Sequence, residues 1–242
     1  ILAQARGSAS GHQDGRRPAT RLSPAHATTR REMYSSALNG IAGLLQPDTD
    51  WTYTKKREAQ EIVPGLWLGP FGAARDQDFL KRANITDALV VRAPEEARII
   101  APKYPEFIHY EILECRDNPF ENVIRFFPSV KKLLDLVLGR GGRILVHDNA
   151  GMSCSAAFVV AYVMETFNLT SDLAHHYVLT RRHCISINEG FRNQIREYEM
   201  LHKVQSQINS GALGAGQAQQ HGQKRALEHA PEASEPATPM VA

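Results

Sequence analysis

The stretch from Arg143 to Met164 constrains this chain more than any other. An apolar run, Arg143-Ile144-Leu145-Val146, leads into a loop of mostly small residues, His147-Asp148-Asn149-Ala150-Gly151-Met152-Ser153-Cys154-Ser155. A long apolar run, Ala156 to Met164, leads out. The first run reads as a buried strand, and Ser155 to Phe167, apolar nearly all round, as a central buried helix. A strand ending in a short loop that opens a helix turns backbone N–H groups inward and makes an anion nest at the helix N-terminus. A central helix of this kind needs other layers around it, so the unit belongs in an α/β fold.

The flanking segments agree. Glu61 to Gly69 reads as two short strands around a Pro64-Gly65 turn. Asp76 to Asn84 reads as a short helix, Ile85 to Val91 as a strand buried on both faces, and Phe107 to Leu113 as another strand. Val123, Phe127, Val130, Leu134 and Val137 recur at steps of three and four, which predicts a helix over Glu121 to Leu138. Pro128 marks either a kink or a late start in it. Thr170 to Arg182 is expected to be a helix capped by Ser171 or Asp172. Asn188 to Val204 is expected to be the last helix, with Phe191, Ile195, Tyr198 and Leu201 or His202 on one face. The pattern is a small central sheet flanked by helices.

Charge and cysteines narrow the function. A formal net charge of +2 over 242 residues argues for neither nucleic acid nor a membrane surface as partner. No apolar run approaches the roughly 18 residues that read as a membrane span. Cys115, Cys154 and Cys184 show no C-x-x-C pair and no zinc spacing, which suits a reducing cytoplasm or nucleus. The histidines, including His175, His176 and His183, show no ligand spacing. No metal and no cofactor is expected.

The ends differ from the middle. Residues 1–32 hold six arginines against one aspartate and one glutamate. That resembles a transit peptide in composition, but Gly7, Gly11, Gly15, Pro18 and Pro24 would break the amphipathic helix it needs. The reading taken is that Met33 is the natural start and that 1–32 is leader or a disordered arm. Residues 1–50 and 206–242 are expected to be disordered, the latter on its Gly, Ala, Gln, Glu and Pro content. One folded domain is expected over 51–205.

The loop poses a chemical question. Cysteine-based hydrolysis of a phosphate monoester needs a thiolate nucleophile, an Arg fork on the equatorial oxygens, an acid for the leaving oxygen, and donors that stabilise the loop charges. Residues 61–201 resemble the dual-specificity phosphatase family. The resemblance rests on Val63-Pro64-Gly65-Leu66-Trp67-Leu68-Gly69, Gly142 to His147, Ser153 to Ala157, and Arg182 followed by Asn188-x-Gly190-Phe191-x-x-Gln194. It is nearest to a catalytically inactive branch, by Trp51-Thr52-Tyr53, Asp117-Asn118-Pro119, Glu121-Asn122, Ile124 to Pro128, Asn149-Ala150-Gly151 and Met164 to Phe167. The family carries H-C-x-x-G-x-x-R-[ST] in its loop. His147, Gly151 and Ser155 fit. Asp148 stands at the nucleophile position and Cys154 at the phosphate-binding Arg position, so the loop is degenerate.

What the resemblance implies follows residue by residue. Asp117 falls at the general-acid position, with no nucleophile left to serve. His147, which tunes the thiolate in the family, becomes a structural hydrogen-bonding residue. Ser155 braces the loop. Asp148 is a poor phosphorus nucleophile without a metal, and is expected to fill the nest itself as a built-in anion. Cys154 is expected to be a small packed side chain in preference to a redox-sensitive thiol or a displaced nucleophile, and Cys115 and Cys184 are read as packing residues. Lys131-Lys132 and Arg181-Arg182 are expected on solvated helix faces, with the alternative for Arg182, which matches a family arginine near the end of its helix, that it pairs with an acidic group inside the domain. Lys55-Lys56-Arg57 is a weak signal for an acidic partner.

The expectation is therefore a pseudophosphatase: no enzyme, but a regulatory protein-binding module in phosphorylation signalling. The resemblance implies partners such as MAP kinases, active phosphatases' substrates or ubiquitin-ligase adaptors, met through surfaces outside a shallow occluded pocket. The alternatives are a weak residual protein phosphatase and a decaying copy with no selected role.

Overall fold

A computed structural model describes residues 51–209. The expected arm at 1–50, and the expected tail at 206–242 from residue 210 on, lie outside the described residues. Five strands, β1 (Gln60–Val63), β2 (Leu66–Pro70), β3 (Asp87–Arg92), β4 (His109–Glu114) and β5 (Ile144–Asp148), form one sheet in the order β1-β2-β5-β3-β4. Only the β1–β2 pair is antiparallel. The expected Pro64-Gly65 hairpin is present, with Gly65 at φ +87°.

Helices lie on both faces of the sheet. The short helices α1 (Phe71–Ala74) and α2 (Gln77–Arg82) link β2 to β3 on one face, where they pack with Ala88 and Leu145. Asp76 caps α2 by accepting from Phe79 N at 3.0 Å. The other face carries α3 (Phe127–Gly139), α4 (Cys154–Phe167), α5 (Ser171–Arg181) and α6 (Glu189–Asn209). Alternate residues of β5 divide between these layers, Ile144 and Val146 facing one and Leu145 the other, as strand pleating requires.

The centre is α4. Its residues from Cys154 to Met164 are all buried, which accounts for a sequence with no polar stripe. Phe158 meets Phe127 edge-on at 5.7 Å and is 1% exposed. Truncating such a side chain to Ala costs about 3–5 kcal/mol in a packed core.

Three boundary expectations are settled or corrected. Pro128 marks a late start: Ile124–Phe126 is a 3-10 turn, and α3 begins at Phe127 with the proline in its first turn, where its missing N–H has no partner to lose. The cap of α5 is Thr170, which accepts from Leu173 N at 3.3 Å, and neither Ser171 nor Asp172. Asn168 ends α4 in the left-handed region, leaving Thr170 extended, and the Ser171 N–H is taken by Glu199 Oε2 at 2.8 Å. The last helix continues to Asn209, past the expected boundary at Gln205, with His202 half-buried and Leu201 exposed.

Candidate functional site

The loop from His147 to Ser155 leaves the C-terminal end of β5, at the middle of the sheet, and enters α4. Position in an open parallel sheet already favours this place, because ligands collect beyond the carboxyl ends of the strands where connections depart to opposite faces. Here β2 leads to β3 over one face, and β4 returns to β5 over the other.

Asp148 is the last residue of β5, and its carboxylate lies within the loop. Oδ1 accepts from the N–H of Ala150 at 2.8 Å and from the N–H of Gly151. Oδ2 accepts from the N–H of Ser155 at 2.9 Å and from its hydroxyl at 2.8 Å. Three backbone donors and the hydroxyl thus converge on one side chain of the chain itself. Gly151 has φ +68°, and a Cβ there would lie 2.4 Å from the backbone of Gly69 in β2. Only glycine allows the loop to fold down onto the strand and aim its amide at Asp148.

The neighbouring side chains are tied in turn. Asp117 Oδ1 accepts from the Ser153 hydroxyl and from Asn188 Nδ2, each at 2.7 Å, and Asn188 N donates to Ser153 Oγ at 3.3 Å. The Asp117 loop, the nest and the start of α6 are joined by this cluster. His147 is buried against Phe71, with Nδ1 3.4 Å from the carbonyl of Asp148, and burial pushes its imidazole down to about 4. Cys154 is buried on α4 with its sulfur 3.9 Å from that of Cys115. The contact with Cys115 and burial both raise its thiol above the usual range, which leaves it a poor nucleophile at neutral pH.

Arg182 is where the expectation fails. It is not on a solvated face, and it meets no carboxylate among the described residues. It is fully buried and serves five acceptors: the carbonyls of Gly151 and Glu58, each at 2.8 Å, those of Ala150 and Lys56, each at 3.1 Å, and Gln60 Oε1. A guanidinium has five N–H donors in a plane, and this packing uses them to pin the underside of the loop to the chain before β1. Burial lowers its pKa, yet a group with so high a starting value keeps its charge. Its neighbour Arg181 does lie over the Tyr177 ring, 3.6 Å from the centroid. The Arg182 acceptors lie between 31 and 126 residues away in sequence, so no local pattern announced them.

A cleft of about 450 Å³ opens beside the loop, lined in part by Arg92, Glu95, Arg116, Asp117, Asp148 and Ser153. Both arginines are already engaged. Arg92 donates to the carbonyls of Ala97 at 3.1 Å and Ile100 at 2.5 Å, and Arg116 pairs with both oxygens of Glu95 at 3.0 and 3.1 Å. With Glu96 the lining carries four carboxylates against two arginines. At about 4 Å and an effective dielectric of about 20, two like unit charges repel by roughly 4 kcal/mol, so this arrangement opposes a phosphate dianion. Among the described residues no three His, Cys, Asp or Glu are grouped to hold a metal ion.

A nest at the end of the central strand, an aspartate-bearing loop beside it and a buried helix behind it define a protein of the phosphatase class in fold. The dual specificity phosphatase catalytic domain matches residues 66–200, and the chain belongs to that family. It is 46% identical over 155 residues to the human serine/threonine/tyrosine-interacting protein, spanning 63% of this chain and 70% of that one. The crystal structure of human tyrosine phosphatase-like serine/threonine/tyrosine-interacting protein superposes with a TM-score of 0.59 at 47% identity, over 60% of this chain and 98% of that one. Dual specificity protein phosphatase 1B of Arabidopsis thaliana is 34% identical over 143 residues, 59% of this chain and 83% of that protein.

Proposed function

We propose that this chain is a pseudophosphatase, a catalytically inactive phosphatase-like protein that acts as a regulatory binding module in phosphorylation signalling. In this reading Asp148 replaces the nucleophilic cysteine, Cys154 replaces the phosphate-gripping arginine, and Asp117 keeps the general-acid position without a reaction to serve. The observation that carries it is the seat of Asp148, whose carboxylate takes the amides of Ala150, Gly151 and Ser155 and the Ser155 hydroxyl. An anion held in the nest by its own chain excludes a second anion by charge and by use of the donors. The similarity to the serine/threonine/tyrosine-interacting protein supports a phosphatase-like protein that works by interaction. The partners proposed are signalling proteins, among them MAP kinases and ubiquitin-ligase adaptors, in the cytoplasm or nucleus.

The test is turnover of a generic aryl phosphate. Wild type is expected to match the Asp148→Ala/Cys154→Ala variant, and Asp148→Cys/Cys154→Arg is expected to gain turnover, since it restores nucleophile and grip beside Asp117. Wild-type activity above the double-alanine variant would instead establish a residual phosphatase. A folded double revertant without activity would show that more than loop chemistry has been lost. Partners captured equally by wild type and by Asp148→Cys/Cys154→Arg are independent of phosphate.

A further inference from the structure

The loop spends its backbone donors on the chain itself, whereas the opposite situation holds at the outer strand β4. Among the described residues this strand pairs only with β3, in parallel. His109 N donates to Thr86 O and Cys115 N to Arg92 O, both at 2.9 Å, which fixes the odd-numbered residues as those facing β3. The N–H and C=O groups of Tyr110, Ile112 and Glu114 therefore point away from the sheet. Among the described residues no hydrogen bond reaches any of them. Natural edge strands are usually covered, bulged, or guarded by proline or charge, and among the described residues β4 is not covered, bulged or proline-blocked, its guard being the charges of Glu111 and Glu114.

Beside this edge lies a groove of about 790 Å³ between β4 and α3. Leu113, Val130 and Leu133 line it, and Leu136 stands at its rim 60% exposed. Ile112, on the other face of the strand, is 40% exposed. Glu111 shares the groove with Lys132 and with Arg125, the latter paired to Glu121 at 3.4 Å, whereas alternation turns Glu114 to the other face with Ile112, and neither glutamate has an ion-pair partner among the described residues. The edge thus offers, among the described residues, a row of free backbone groups, an apolar trough on one face for alternate side chains and the Glu114 carboxylate on the other.

We propose that the β4 edge binds an extended segment of a protein partner by strand addition, and that this segment alternates apolar residues, seated in the groove against α3, with Lys or Arg residues on the other face that answer Glu114. Main-chain hydrogen bonds supply affinity in this mode, and the groove and charges supply selection. The inference deepens the binding-module reading and rests on it only in taking a protein as the occupant. It does not involve the Asp148 loop, so the turnover tests and the test below fail independently.

The experiment follows amide hydrogen exchange by NMR in the full chain, free and with an end-blocked peptide Lys-Val-Lys-Val-Lys-Val-Lys or its acidic counterpart Glu-Val-Glu-Val-Glu-Val-Glu. The basic peptide is expected to slow exchange at Tyr110, Ile112 and Glu114 by about tenfold or more, and the acidic one to leave it unchanged. Glu114→Lys is expected to reverse that preference. Ile112→Pro removes an outward amide that the sheet does not use, and is expected to abolish slowing at Tyr110 and Glu114 while Glu111 and Leu113 stay protected by β3. Absence of slowing with either peptide, or equal slowing with both, overturns the proposal. So does protection of these amides in the free chain, which would show the edge covered by the chain's own segments, or protection that grows with protein concentration, which would show a second copy there.

Discussion

The nest after β5 and the outer edge of β4 are two places where this fold presents backbone polar groups, and they are treated in opposite ways. In the nest, three amides end on Asp148 and two carbonyls of the same loop end on Arg182, so the loop is satisfied from above and below. At the edge, three residues keep both their groups open among the described residues. Similarity to phosphatases draws the eye to the loop. A donor already spent on the chain has little left to give a ligand, which is why the proposed recognition is placed at the edge.

The contrast implies a ranking of perturbations, steep at the loop and shallow at the edge. Arg182→Met is expected to be the most damaging, at about 3–5 kcal/mol of unfolding free energy, because it strands several buried carbonyls at once. Urea denaturation of wild type and variant measures it. A loss under about 1 kcal/mol would mean that the loop is not pinned from below.

Acid should act next. The unfolded His147 imidazole titrates near 6.5 and the folded one at about 4, because burial disfavours the cation. Above pH 6.5 both states are neutral and the stability is complete. Between 6.5 and 4 the unfolded state takes up a proton that the folded state refuses, so stability falls by roughly 3 kcal/mol over this window. Below about 4 this group adds no further loss. Unfolding free energy followed from pH 7.5 to 4 (about the range that brackets the transition) should show the slope, and His147→Gln should flatten it.

Asp148→Ala separates stability from ligand exclusion. It removes the acceptor of four hydrogen bonds in a half-exposed loop and is expected to cost about 2 kcal/mol. Sulfate or phosphate should then raise the Tm of the variant and leave wild type unmoved, since a ligand of the native state stabilises in proportion to its binding. An equal gain in both would mean that the carboxylate does not close the nest. The mildest change belongs to the edge. Ile112→Pro should cost less than about 1 kcal/mol, as it deletes an N–H that faces away from β3. A larger loss would show that this amide has a partner, and the two regions would cease to differ.

Much of the framework was legible in the chain because its signals are local. The three- and four-residue repeat of Val123 to Val137, the uninterrupted apolar run of α4 and the Pro64-Gly65 turn each report a backbone period or a forced dihedral, and these need no knowledge of the rest of the fold. The nest was legible for the same reason: a strand, a short loop with Gly151 and a helix are consecutive. Even so, the choice among Thr170, Ser171 and Asp172 as cap went to the residue left extended after Asn168, which composition alone does not decide.

The sequence by itself therefore determined the elements, the loop and the presence of a carboxylate within it. Tertiary structure decided what those groups meet. It buried Arg182 beneath the loop, although its Arg181-Arg182 context reads as a solvated face, and gave it carbonyl partners where a carboxylate was expected. It brought Asp117 to Ser153 and Asn188, 36 and 71 residues away, and set the sulfurs of Cys115 and Cys154 side by side. It also left β4 outermost among the described strands, with half its backbone unpaired among the described residues. Strand order, burial and long-range hydrogen bonds depend on how loops close in three dimensions, and a one-dimensional period carries no record of that.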